Sequence, residues 1–373
     1  PIIIDGTDDL ETWTRDQLTV CLQPSHWHEL MLACPNQLEA IRDAKVRLTR
    51  AIFQHPPNPY ECYLMEPPEQ TILHQLYADL EQLPGSCLPH PWQQFQQCLQ
   101  TEAVLTWTTI ARPQGQFSLY GAPIDVAPAL EKIWSQQPIV LIGTALDLDP
   151  EATLYRQHLG LGEVTSLKFS PDRHHELIQL YLPDGLPLPN TPQFQAALMN
   201  QLRALLHLSA NQGGISVFLV GDVPLKAQVG AVLAAEFGSR VQVEKTCLED
   251  NGILITGWEF WRQHQAHLPA PQVLAIATLP IPSLEHPLVA GRVAYYKRLR
   301  QDWFRLYLLP SALSELQRAI APVRESQGLV ALFDSRVLHR SYGQQVLSAL
   351  SPAARINYLD PSLFSKSDYS IME

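Results

Sequence analysis

Phosphate-cradling loops are missing from this sequence. No G-x-x-x-x-G-K-S/T run occurs in its 373 residues, so the chain carries no loop whose backbone N–H groups and lysine would hold a triphosphate. Paired cysteines are missing as well. Cys21, Cys34, Cys62, Cys87, Cys98 and Cys247 include no C-x-x-C pair, so neither zinc nor an iron–sulfur cluster is signalled and reduced, mostly buried thiols are expected. His26/His28 and His174/His175 have no carboxylate or cysteine companion at ligand spacing. No apolar run approaches the roughly 20 residues of a membrane span, and no basic-then-apolar leader opens the chain. A cytoplasmic protein without membrane contact is therefore expected. An excess of basic charge is absent too: the formal net charge of -11 argues against indiscriminate adhesion to nucleic acid. Arg and Lys do cluster at 42–50, which reads as a solvated helix face, and at 292–305, which leaves a local basic groove open.

What is present reads as α/β. The length suits roughly two domains. From Ile139 onward, short continuous apolar runs alternate with amphipathic segments of helical length. The runs are IVLI (139–142), ISVFLV (215–220), ILIT (253–256), VLAIA (273–277) and LVALF (329–333). Helices are predicted over 194–208, 225–237, 288–303 and 311–320. Strands apolar on both faces and separated by helices predict a parallel sheet covered on both sides, with ligand groups at the strands' carboxyl ends. Residues 10–115 differ. They are rich in Gln, Pro and Leu, carry helical spacing at Leu38, Ile41, Leu48 and Ile52, and are broken by Pro56, Pro57, Pro59, Pro67, Pro68, Pro84, Pro89 and Pro91. That pattern predicts short helices joined by loops, with no sheet of their own. Strand grammar then resumes near 117–120 and 139–142, so the first domain, 1–150, reads as strands near 2–5, 117–120 and 139–142 interrupted by a helical insertion. Residues 151–373 form the second domain. The chain opens at Pro1 directly on the strand Ile2-Ile3-Ile4, and a preceding segment that completes the first sheet is expected.

Four stretches carry chemistry. PIIIDGTDDLE places Asp5 at the end of an apolar strand; LIGTALDL follows a second strand; FLVGDVPLKAQV sets Gly221 and Asp222 at a strand's end before a helix; and LQRAIAPVRES precedes ALFDSRVLHRSYG. In this order they resemble the superfamily 2 helicases of the DinG and XPD type, over nearly the whole chain and most specifically over 253–352. The resemblance implies two RecA-like parallel-sheet domains, the first incomplete here, with an arch-like α-helical insertion.

The resemblance also implies roles. Asp5 matches the first residue of the family's D-E-A-H, which holds magnesium through water; Gly6 replaces the Glu that polarises the attacking water. Thr144, Ala145 and Leu146 match the S-A-T-L segment that couples nucleotide to nucleic acid, with Gly143 in place of Ser. Gly221 and Asp222 stand where the family reads L-F-T-S-Y, so the helix start there would meet a phosphate or serve as an ordinary strand-to-helix turn. Phe260 and Trp261 match the Phe-Trp of S-F-W-E-G-V-D, either stacking on a base or packing in the core; Arg262-Gln263-His264-Gln265 replaces E-G-V-D. Gln317 and Arg324 match the first and last residues of Q-x-x-G-R-x-I-R, a catalytic, nucleotide-contacting motif whose two arginines reach across the interdomain cleft as fingers that stabilise charge on the transferring phosphoryl group, while Ile320 and Ala321 replace the Gly and the first arginine. Asp334, Arg336, Tyr342 and Gly343 match L-D-x-R-x-x-x-x-Y-G, with Asp334 and Arg336 paired.

The implied partners are ATP and Mg, through a P-loop segment upstream, and single-stranded or forked DNA; a protein partner is a further expectation. Three vacated charged positions, at Gly6, Gln265 and Ala321, predict a catalytically degenerate relative. A non-hydrolysing protein scaffold and an unrelated two-domain transferase, for example of sugar nucleotides, stand as alternatives.

Overall fold

The computed structural model of the chain describes residues 2–81, 88–101, 103–168, 177–209 and 213–360; Cys87 and the His174/His175 pair lie outside the described residues. Two compact units emerge: Pro1–Leu146 with Glu151–Thr165 and Pro282–Tyr307, and Asp147–Pro150 with Ser166–Ile281 and Leu308–Glu373.

The first unit runs β1 (Ile2–Ile4), α1 (Leu10–Leu18), β2 (Val20–Leu22), α2 (His26–Ala33), α3 (Leu38–Phe53), β3 (Cys62–Leu64), α4 (Pro67–Glu81), α5 (His90–Leu99), β4 (Val104–Ala111), β5 (Gln116–Pro123), α6 (Ala127–Trp134), β6 (Ile139–Leu141) and α7 (Thr153–Leu159). It also takes in α11 (Pro287–Arg298). β1 and β6 pair in parallel, Ile2 opposite Ile139 and Ile4 opposite Leu141. Leu10, Leu130, Trp134, Leu141, Tyr155 and Leu159 pack together beside this ribbon, whereas Ile3, Val140 and Ile142 are exposed.

The region 10–115 is not purely helical. β2, β5, β4 and β3 form, in that order, a four-stranded antiparallel sheet. The strand near 117–120 belongs to it, with Leu119 opposite Leu22 and Thr108, and so is not part of the parallel sheet that the sequence predicted. The physical reason is local: VLTWTTIA is dense in β-branched and aromatic residues, and Arg112-Pro113-Gln114-Gly115 turns the chain. Gly115 sits at φ 63, where a glycine pays no steric penalty. One sheet face buries Phe117 and Leu119 against Trp27, Trp92, Phe95 and the α3 stripe Ile41, Leu48 and Ile52. The other face receives α11. A Cβ at Gly291 would stand 2.5 Å from Leu105 Cδ1 and 3.1 Å from Leu64 Cδ2, so glycine sets how closely this helix approaches the sheet.

A single boundary near 150 is also corrected. α7 is held to the first unit by Trp134 Nε1 donating to Leu159 O at 2.7 Å and by Tyr155 OH donating to Thr7 O at 3.0 Å. α11 is held by its fit at Gly291 and by Arg292, which donates to Glu11 at 2.8 Å.

The second unit runs β7 (Ile178–Tyr181), α8 (Pro192–Ser209), β8 (Ser216–Leu219), α9 (Val223–Phe237), β9 (Val241–Val243), β10 (Ile253–Thr256), α10 (Trp258–His264), β11 (Val273–Ile276), α12 (Leu309–Glu325), β12 (Leu329–Leu332), α13 (Arg336–His339), α14 (Gly343–Leu350) and β13 (Ala353–Ile356). Its seven strands are ordered β13-β7-β12-β11-β8-β10-β9, and each neighbouring pair is parallel. Every residue of β8, β10, β11 and β12 is buried, as strands covered on both faces require.

Candidate functional site

At the carboxyl ends of β1 and β6 the chain closes a small polar knot. Asp5 is exposed, and its Oδ1 accepts the Gly6 N–H at 2.9 Å. Gly6 adopts the left-handed region, φ 70 and ψ 31, so a glutamate in its place would be strained as well as repositioned. Thr7 is fully buried and donates through both its amide and its hydroxyl to Ile142 O, at 3.0 and 2.9 Å. Asp8 crosses 136 residues of sequence: its carboxylate accepts Thr144 N at 3.1 Å, Thr144 Oγ1 at 3.2 Å and Ala145 N at 2.6 Å. Burial pushes the nearby Tyr155 hydroxyl up to about 12, and the Asp8 charge adds to it.

Asp8 occupies the fourth place of the motif that begins at Asp5. The structure brings it, and not Asp5, onto Thr144. Gly143 follows from the same geometry. A Cβ there would meet Leu146 Cδ2 at 2.2 Å and Asp8 Oδ2 at 3.0 Å, so a serine would force the half-buried Leu146 side chain to move. A magnesium site needs several oxygen ligands. Among the described residues no group of three His, Cys, Asp or Glu side chains is suited to a metal, and Asp5 alone does not fit one.

In the second unit Gly221 and Asp222 follow β8. Asp222 caps α9, its Oδ1 accepting Leu225 N at 2.7 Å. A carboxylate therefore already occupies the helix start proposed for a phosphate, and its charge disfavours an anion there. Lys226 pairs with Glu244, which also accepts Gly257 N at 3.2 Å; these bonds hold Glu244 below its ordinary pKa. The aromatic beside Gly221 is Trp258: a Cβ on Gly221 would approach its ring at 3.1 Å.

Trp261, by contrast, is 1% exposed and donates through Nε1 to Ala319 O at 3.1 Å. It is a core residue joining α10 to α12, which corrects its placement on a nucleic-acid track. Phe260 is half-buried, its ring 4.3 Å from that of His264. Both lie within α10, whose inward residue Trp261 faces α12. W-E-F-W offered two indoles, and helical phase sent the second one inward.

Gln317 lies half-buried on α12, two turns before Arg324. Arg324 donates to the carbonyls of Leu350 at 2.7 Å, Ser351 at 3.1 Å and Pro352 at 3.0 Å. Carbonyls at a helix end carry partial negative charge, so the guanidinium ties α12 to the end of α14. This is a structural engagement where an arginine finger was expected. Ala321 is exposed on the same helix. The Asp334–Arg336 pair is present: Asp334 is 1% exposed, accepts from Arg336 Nε at 2.8 Å and Nη2 at 2.6 Å, and accepts Leu279 N at 2.9 Å. It clips the segment after β12 to the segment after β11.

No family model matches the chain. It is 24% identical over 262 residues to the ATP-dependent DNA helicase YoaA of Haemophilus influenzae, covering 66% of this chain and 40% of that protein. It is 23% identical over 254 residues to the ATP-dependent DNA helicase YoaA of Escherichia coli, covering 64% and 40%. The chain thus spans 40% of the length of these curated relatives. Among solved structures, an XPD helicase matches at TM-score 0.53 and 11% identity over 95% of this chain and 68% of that one. Xpd4 of S. tokodaii matches at TM-score 0.56 and 14% identity over 95% and 75%.

Proposed function

We propose that this chain, a relative of the DinG/XPD-type superfamily 2 helicases by sequence and α/β fold, is a DNA-binding helicase-like polypeptide whose own catalytic positions are degenerate. The observation that carries the degeneracy is the knot after β1. Gly6 stands in the place of the water-orienting Glu, and the next acidic side chain of the motif, Asp8, is engaged by Thr144 and Ala145. Ala321 and the tethered Arg324 support the same conclusion in the second unit. ATP and Mg enter only through a segment that would supply a phosphate loop, and the chain's residues alone fit neither.

DNA is the partner that similarity to ATP-dependent DNA helicases supports, with single-stranded or forked DNA as the finer form. A protein or a preceding segment that covers the exposed Ile3, Val140 and Ile142 belongs to the same proposal. So does a cytoplasmic setting: among the described residues no helix is long and apolar enough to cross a membrane.

The test is anisotropy of a labelled single-stranded oligonucleotide titrated with the chain at several salt concentrations. Binding that weakens steeply with salt is expected. Failure to bind at low salt would remove nucleic acid from the proposal.

A further inference from the structure

We propose that residues 295–305, the end of α11 and the turn after it, form a docking surface for single-stranded nucleic acid. The proposal rests on the DNA-binding function above and adds a site that the motif residues do not include.

In a chain of net charge -11, the stretch RVAYYKRLRQDWFR (292–305) holds Arg292, Lys297, Arg298, Arg300 and Arg305 against Asp302 alone. Lys297, Arg298, Arg300 and Arg305 are exposed. Aromatic faces stand among them: Lys297 Nζ lies 5.1 Å from the Trp303 ring centroid and Arg298 Cζ lies 5.3 Å from that of Tyr295. Cations for phosphates and half-buried rings for bases are the two elements that sequence-tolerant binding of single strands combines.

The patch differs from the other basic helix. On α3, Arg42 and Arg47 face Glu39 and Asp43 one turn away, at 3.6 and 3.5 Å. Lys297, Arg298 and Arg300 face no carboxylate within ion-pair distance among the described residues, and Arg305 meets Asp302 only at 3.9 Å. The platform is also held firmly from below. Arg292 on the inner side of α11 donates to Glu11 at 2.8 Å and stacks on Tyr307 at 4.0 Å. A surface that is ordered before the ligand arrives loses less entropy on binding. An acidic protein segment would satisfy the cations but would not need the two ring faces, so Trp303 separates the two occupants.

The test uses the full chain and a labelled thymidylate oligomer of about 20 nucleotides, longer than the roughly 4 to 16 nucleotides that such grooves span. Lys297→Glu/Arg298→Glu/Arg300→Glu should weaken binding at least tenfold and lower the salt slope by about 2, the loss of roughly three phosphate contacts. Arg42→Glu/Arg47→Glu/Arg50→Glu, with the same change of charge, should leave affinity within about threefold if binding is local and not a net-charge effect. Trp303→Ala should weaken it on the order of tenfold through lost stacking. Melting curves establish that each variant folds; Lys297→Gln/Arg300→Gln decides the matter should the triple reversal not fold. If the wild-type chain binds and the two triple variants weaken it equally, the site is overturned while the DNA-binding function stands. An unchanged affinity in Trp303→Ala overturns the single-strand platform. Absence of binding by the wild-type chain overturns both.

Discussion

Glu11 shows how a single carboxylate can hold a unit together. Its oxygens receive Arg15 Nη2 at 2.6 Å and Arg292 Nη2 at 2.8 Å, and His158 Nδ1 lies 3.2 Å away. Burial alone would raise its pKa; the His158 hydrogen bond and the charges of Arg292, Arg15 and His158 outweigh burial and hold it well below the ordinary carboxylate range. The sign follows. A depressed folded pKa means that Glu11 contributes stability above its unfolded value of roughly 4.5 and loses it as pH falls toward the folded value. Glu11→Gln should therefore melt with a shallower acid limb below about pH 4.5 and should lose roughly 2 to 4 kcal/mol near neutrality, because Arg292 is left without its partner. Chemical denaturation at a series of pH values measures both, and an unchanged acid limb would show that Glu11 does not carry it. Asp8 invites a parallel experiment. Asp8→Ala leaves the Thr144 and Ala145 amides without their acceptor and should cost about 1 to 2 kcal/mol. Gly143→Ser, which restores the residue type expected from the family pattern, should destabilise by about 1 to 3 kcal/mol through collision with Leu146. A Gly143→Ser protein at least as stable as wild type would contradict the geometry of the knot.

Between elements, legibility tracked how much a segment's own pattern decides. The central strands β8, β10, β11 and β12 were visible as unbroken apolar runs, because burial on both faces permits nothing else. β7, β9 and β13 were not. Gln179, Gln242 and Arg355 interrupt them, and β9 and β13 lie at sheet edges, where polar residues are tolerated. The antiparallel sheet went unread because Gln and Pro dominated the average while the strand signal was confined to VLTWTTIA and QFSLYGAP. α11 was legible as a helix, but its residence in the first unit was not: that depends on Gly291 and Arg292 meeting residues about 190 to 280 positions earlier, which no local periodicity encodes. Trp261 gives the sharpest element-scale prediction. Its burial and its bond to Ala319 O make it a packing residue, so Trp261→Ala should destabilise the second unit by about 3 to 5 kcal/mol. Measured below its melting temperature, the same protein should bind single-stranded DNA with unchanged affinity. Loss of affinity without loss of stability would return Trp261 to the nucleic-acid track.

For the molecule as a whole, the family pattern was readable from its backbone scaffold and hardly at all from its chemistry. Asp334 and Arg336 could be anticipated as a pair because two charges at the end of a buried strand must satisfy each other. Arg324 could not be placed from its motif position, since the carbonyls it holds come from Leu350 to Pro352, beyond the next strand. The consequence for activity is that this chain should release no phosphate from ATP, with or without single-stranded DNA. Phosphoryl transfer relies on positioning and charge stabilisation more than on covalent chemistry. No phosphate loop occurs among these 373 residues, so on their own they supply no cradle for a triphosphate. Gly6 offers no side chain to orient water. Ala321 stands where the resemblance puts an arginine, and an arginine finger contributes roughly 10³ to 10⁵ in rate. These losses act on one transition state and are not additive, yet each alone is severe, and Asp5 cannot restore what the others supply. A phosphate-release assay across nucleotide and DNA concentrations is the check, with Asp5→Asn as the control for contaminating activity. Turnover near one per second that disappears in Asp5→Asn would show that the knot after β1 is an active nucleotide site.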